Sequence, residues 1–229
     1  MQELTVGTSK NLVTSDVLLA LQLRTGNEHP LPRLATFVCT NTTGDLVPLI
    51  PLFLSPKTTH ICIEFSPNPP MVMVALVITR IPALCPNIQT LIFDPLPRDS
   101  AMTEAVSEML LACNPETLQG FFVACPLTEE AHRVLYTLPN LRHLWAVIRG
   151  PTPPPPVVLP NLDFIYVEYD SGRDWLQYFR GATLRGLRAA IFHPAPGSAQ
   201  IGGFLEEFQS VALTASIQNS LSMFCFYTR

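Results

Sequence analysis

Three acidic residues fall close together at Glu168, Asp170 and Asp174, where paired carboxylates could exchange protons with a substrate. Their setting favours a structural role. Asp170 or Ser171 stands where a helix would begin, and Asp174 would complement the positive end of its dipole. The histidines His29, His60, His132, His143 and His193 are scattered without the spacing of metal ligands. Cys39, Cys62, Cys85, Cys113, Cys125 and Cys225 include no C-x-x-C pair, and no secretory signal accompanies them. They read as reduced thiols acting as small buried apolar groups, which implies a cytoplasmic or nuclear location. G-x-S-x-G, Walker A, G-x-G-x-x-G and H-E-x-x-H are all missing. The expectation is a chain that is not an enzyme, with no catalytic residue, cofactor or metal.

Aromatic side chains offer more, but their meaning depends on the elements that carry them. Residues 138–148 read "LPNLRHLWAVI" and a second Leu-Pro-Asn-Leu opens "LPNLDFIYVEY" at Leu159. Aligning the two exposes a template, L-x-x-Φ-x-Φ with Φ apolar. It holds Leu141, Leu144 and Ala146 in the first copy, then Leu162, Ile165 and Val167 in the second. Further copies start at Leu34, Ile88, Leu118, Leu187 and Leu221, and one around Ile61 and Ile63 places His60 at the first anchor. A proline leads into several of them, marking where a connection ends and a strand begins.

Helix-like segments lie between the anchors. Residues 102–113 put Ala105, Met109 and Ala112 on one face, and 127–138 open with a Thr cap and an acidic first turn. Residues 173–183 and 202–213 have similar amphipathic spacing. One short strand and one helix per 21 to 34 residues predict an α/β fold. Its architecture would be an irregular leucine-rich-repeat-like solenoid of short parallel strands, in which stacked units share one core. The proline-rich run 151–160 would replace a helix with an extended connector. Residues 1–30 form an N-terminal helical or linker segment around "TSDVLLALQLR", and 31–229 the repeat domain.

With that register, side chains alternate between core and surface. The exposed face would carry Thr90, Ile92 and Asp94, then Phe122, His143 and Trp145, then Phe164, Tyr166 and Glu168, then Ile191 and His193. An aromatic stripe from Phe122 through Trp145 to Tyr166, edged by acids, suits protein binding, because Trp and Tyr are enriched at binding hot spots. The candidate partner-binding residues are thus Phe122, His143, Trp145, Phe164, Tyr166 and Glu168.

Composition agrees. The chain of 229 residues is 48% apolar and only 14% charged, against roughly a quarter charged in ordinary soluble domains. Such a surface fits a chain that buries faces against partners or continues beyond its ends. A net charge of −4 without a basic stripe argues against nucleic acid. The longest apolar run, 71–78, has eight residues, whereas a bilayer span needs about 20. No membrane partner is expected.

The segments "SPKTTHICIEF", "MVMVALVITRIPALCPNIQTLIFDPLPRD", "TEAVSEMLLAC", "LPNLRHLWAVIRGPT" and "VVLPNLDFIYVEY", in this order and spacing, resemble the leucine-rich-repeat portion of the expanded F-box proteins of mushroom-forming fungi. The resemblance covers most of residues 30–229. It implies the substrate receptor of an SCF-type ubiquitin ligase, with the repeats presented to a target protein and an F-box docking the adaptor. No F-box is visible in residues 1–30, and 221–229 close on a core strand. A fragment truncated at both ends is therefore expected, joining the SCF adaptor only if an F-box lies upstream. The alternatives are a structural scaffold or non-functional repeat fragment and, more remotely, a small α/β enzyme.

Overall fold

Proline stands second in each of five four-residue segments, 31–34, 55–58, 85–88, 138–141 and 159–162. In a computed structural model of the chain each segment is a tight turn. The N–H of the fourth residue donates to the carbonyl of the first, at 3.1, 2.9, 3.2, 3.5 and 3.3 Å in that order. Proline's fixed φ suits the second position of such a turn, and its missing N–H leaves no donor unpaired. The fourth residue then enters the core: Leu34, Thr58, Ile88, Leu141 and Leu162 are each at most 2% exposed. The recurring Leu-Pro-Asn-Leu is thus a turn that aims a strand.

The described residues are 2–6, 20, 23, 30–148, 159–169, 189–194 and 223–226. Strands run β1 Gln2–Val6, β2 Leu34–Thr42, β3 His60–Phe65, β4 Thr90–Asp94, β5 Gly120–Val123, β6 His143–Ile148, β7 Phe164–Tyr169, β8 Ala189–Pro194 and β9 Met223–Phe226. Helices are α1 Ile50–Phe53, α2 Met71–Leu84, α3 Ser100–Ala112 and α4 Glu129–Leu135. The chain forms two compact units, Met1–Leu118 with Val123–Cys125, and Gln119–Phe122 with Pro126–Arg229. In the first unit β1 to β4 lie side by side in chain order, all parallel. The second unit repeats that arrangement from β5 to β9. Parallel neighbours need a crossover connection, and α1, α2, α3 and α4 follow β2, β3, β4 and β5 in turn. The fold class is α/β, with parallel strands alternating with helices.

The inward positions line up across the strands. Phe37, Ile61 and Leu91 share one row and Cys39, Ile63 and Phe93 the next; none exceeds 1% exposure. In the second unit Phe121, Leu144 and Ile165 form the equivalent row, with the same burial. Each of the Phe, Ile and Leu side chains contributes about 1.5–3 kcal/mol by leaving water. Just ahead of the strands, successive turns are stitched together: Thr59 N–H donates to Ala35 O at 2.9 Å and Gln89 N–H to Thr59 O at 2.7 Å. Asp163 N–H to Arg142 O at 2.8 Å and Arg142 N–H to Gln119 O at 2.7 Å repeat the step in the second unit. There Asn161 Nδ2 also donates to Pro139 O at 2.8 Å, so the Asn of one turn holds the Pro of the turn before.

Several expectations are revised. The anchor of the third strand is Thr58, not His60. Thr58 is fully buried, and its Oγ1 donates to Leu34 O at 3.0 Å while accepting Ser55 N–H at 3.2 Å. The hydroxyl is tolerated in the core because both its roles are filled. A strand that the template did not reach, β1, pairs with β2 and buries Val6 against the register position of Cys39. The apolar run 71–78 becomes α2, which buries Val74, Val77, Ile78 and Ile81. Helix α3 starts at Ser100 because Asp99 caps it, accepting Met102 N–H at 2.8 Å; Ala112 faces solvent rather than the core. Helix α4, capped by Thr128, stops at Leu135 because Leu138 opens the next proline turn. The helices expected at 173–183 and 202–213 and the run 151–158 lie outside the described residues. So does most of 14–24, where Ala20 and Leu23 are helical. Among the described residues no helix is long and apolar enough to cross a membrane.

Candidate functional site

The face of β5, β6 and β7 opposite the Phe121–Leu144–Ile165 row holds the aromatic candidates. Register alone assembles them: Phe122 lies opposite Trp145, and Trp145 opposite Tyr166. The next row along the strands sets Gly120 beside His143 and His143 beside Phe164. Adjacent parallel strands are about 4.8 Å apart, close enough for rings in one row to touch. Trp145 and Tyr166 do so, with centroids 4.7 Å apart and planes tilted by 56°. Phe122 instead stacks diagonally on His143, at 6.1 Å and 22°. Gly120 has no side chain to compete for that space.

Phe122, Trp145, Phe164 and Tyr166 are half-buried and His143 is exposed. Phe122, Trp145 and Tyr166 are thus each held by a ring neighbour while part of their surface stays open, which limits the rotamer entropy a partner must freeze. The Trp145 Nε1–H is buried and has no hydrogen-bond acceptor. A buried donor without an acceptor costs about 1–3 kcal/mol, so this side chain gains from any rearrangement that brings an acceptor to it.

Glu168 departs from expectation. Alternation puts it at the acidic rim of the stripe, yet it is only 6% exposed, and Val147 opposite it is 2% exposed. This end of the face is covered, and the carboxylate is a buried group rather than an accessible one. Ala146 and Val167, expected to point inward, and Ile191 and His193, expected to point outward, have side chains outside the described set. Asp170 and Asp174 also lie outside it.

Cys85, Cys113 and His132 sit apart from this row, each deeply buried. Burial pushes the Cys85 thiol up to about 12, against a partial opposing effect of bonds to Thr58 and Ser55. Burial, with a smaller push from Cys85, does the same to Cys113. A thiol held there supplies almost no thiolate at neutral pH. Burial lowers His132 to about 4, and it stacks flat on Tyr136 with centroids 6.0 Å apart. Among the described residues no cluster of three or more His, Cys, Asp or Glu could hold a metal ion.

Sequence reasoning had the members of the aromatic row, since alternation and register follow from the turns. It missed the unsatisfied indole and the burial of Glu168, which depend on what packs over the strands. It also missed a row of carboxylates in the first unit, where Glu64 lies opposite Asp94. Comparison of the chain with protein-family models, with curated proteins and with solved structures finds no match in any of the three.

Proposed function

We propose that the chain is a protein-interaction solenoid, and that it is the substrate-recognition part of an F-box type ubiquitin-ligase receptor. The observation that carries the interaction reading is the in-register row Phe122–Trp145–Tyr166 on the open side of the strands. Large rigid aromatics with a donor at their edge are the groups that dominate binding energy in protein interfaces. The solenoid reading is supported by a proline turn, strand and helix that recur in chain order, with strands inside each unit pairing in parallel with the next. Stacked repeats need that neighbour-only pairing. The ligase reading is supported by the resemblance of the five quoted segments to fungal F-box repeats. It assigns the chain to the cytoplasm or nucleus and links it to the adaptor only if an F-box is encoded upstream.

The test compares affinity capture by the wild-type chain, a Phe122→Ala/Tyr166→Ala variant, and a Val72→Ser control on the outer side of α2, all in lysate of the source organism. The proposal expects a protein held by wild type and control but lost from the double variant. That protein's polyubiquitin should fall when the chain is depleted. Identical capture by all three would remove the aromatic face as the site. Loss of binding without any change in ubiquitination would leave an interaction module and end the ligase reading.

A further inference from the structure

The outward positions of β1 to β4 make a second open face, confined to the first unit and different in chemistry. Val38, Cys62 and Ile92 form an apolar row, half-buried and in register. One step along the strands lie Glu64 and Asp94, directly opposite each other and both exposed. One step the other way, on β1, Glu3 lies opposite Thr36 and is exposed as well. The only other titratable side chain in that row is His60, whose Nδ1 shares a 2.8 Å hydrogen bond with Thr59 Oγ1. No outward strand residue on this face is Lys or Arg. Arg98, beyond the end of β4, is the basic group that acts on Asp94.

Like charges directly opposite on neighbouring strands destabilise a sheet. The Asp94 carboxyl is raised, first by its partial burial and then by the Glu64 charge, with Arg98 offsetting only part. The fold therefore keeps two carboxylates together at a cost, beside an apolar row that nothing in the first unit's own strands covers.

We propose that this face docks an extended basic segment of a partner protein, with an apolar side chain on Val38, Cys62 and Ile92 and Lys or Arg side chains against Glu64 and Asp94. Glu3 extends the same negative field across the face. Complementary charge both steers such a segment and fixes its register, and an extended chain presents alternate side chains on one side at the spacing of the strand rows. This inference goes beyond the aromatic face of the second unit and does not rest on it.

The probe is a fluorescein-labelled Arg-Ser-Val-Ser-Arg amide, whose alternate side chains put Arg, Val and Arg on one side, titrated with the full chain by fluorescence anisotropy at physiological salt. Two variants carry the same charge change, Glu64→Gln/Asp94→Asn on the face and Glu104→Gln/Glu108→Gln on exposed positions of α3. The expected result is saturable binding that weakens about fivefold in the first variant and less than about twofold in the second, as loss of two exposed charge pairs at about 0.5 kcal/mol each predicts. Thermal unfolding of the first variant should be no lower than wild type, since a repulsion is removed. Equal losses in the two variants, or no binding by the wild type, would overturn the proposal. So would a dimer of the chain that dissociates on Glu64→Gln/Asp94→Asn, which would put a second copy on the face.

Discussion

Replacing Thr58 with valine removes one hydroxyl and leaves the shape of the side chain unchanged. The residue is fully buried, so water cannot take over its hydrogen bonds. Leu34 O would lose a donor at 3.0 Å, and Ser55 N–H would lose an acceptor at 3.2 Å. A buried polar group left without a partner costs about 1–3 kcal/mol. With relaxation recovering part of it, the expected loss is about 2 kcal/mol for Thr58→Val. At about 2–4 °C per kcal/mol for a chain of this size, unfolding followed by circular dichroism should shift down by about 4–8 °C. Thr58→Ser keeps the hydroxyl and gives up one methyl, so its loss should be nearer about 1 kcal/mol. His60→Ala, at the position that spacing alone makes the anchor, should cost less than Thr58→Val because His60 is only half-buried. A Thr58→Val protein within about 0.5 kcal/mol of wild type, or a His60→Ala protein that loses more, would refute the register assigned to the turn at 55–58 and β3.

Further outcomes follow from single positions. Leu162→Asp puts a carboxylate where the anchor is fully buried, so the chain should unfold or aggregate; unchanged thermal unfolding would contradict the repeat register. Tyr166→Ala should weaken binding of the captured target while lowering the unfolding temperature only slightly, and a large stability loss would make Tyr166 a core residue. His132 is held neutral in the fold at about 4 against an ordinary 6.5. The unfolded chain therefore takes up a proton first as pH falls. Stability should be complete above pH 6.5 and decline from there to about pH 4, by about 3 kcal/mol in total. Denaturant unfolding at a series of pH values should show that slope in wild type and lose most of it in His132→Phe, which keeps the ring stacked on Tyr136.

Legibility in the sequence followed local chemistry. The strands after 85–88, 138–141 and 159–162 could be read because a proline turn and a period-two apolar pattern coincide there. Helix α4 carries its cap, Thr128, in plain view, whereas Asp99, the cap of α3, lies ahead of the amphipathic span 102–113. Helix α2 could not be assigned, since "MVMVALVITR" is apolar on every side and shows no period to choose between helix and strand. Thr58 is hard to read as an anchor because a polar residue at that position looks like a break. The lead Ser-Pro-Lys-Thr has the same turn pattern as Cys-Pro-Asn-Ile and would have located it. In the aromatic face, membership was readable from alternation. The burial of Glu168 and the unsatisfied Trp145 Nε1 were not, because both are set by packing over the strands rather than by the strands themselves.

The central claim, that the open side of β7 meets a protein while the other side is core, has one direct test. The photo-cross-linking residue p-benzoylphenylalanine is placed in turn at 164, 165 and 166, and the chain is irradiated with its captured target. The account predicts intermolecular adducts from 164 and 166, where Phe164 and Tyr166 are half-buried. It predicts only intramolecular ones from 165, where Ile165 is 1% exposed. Adducts to the target from 165, or none from 164 and 166, would contradict it.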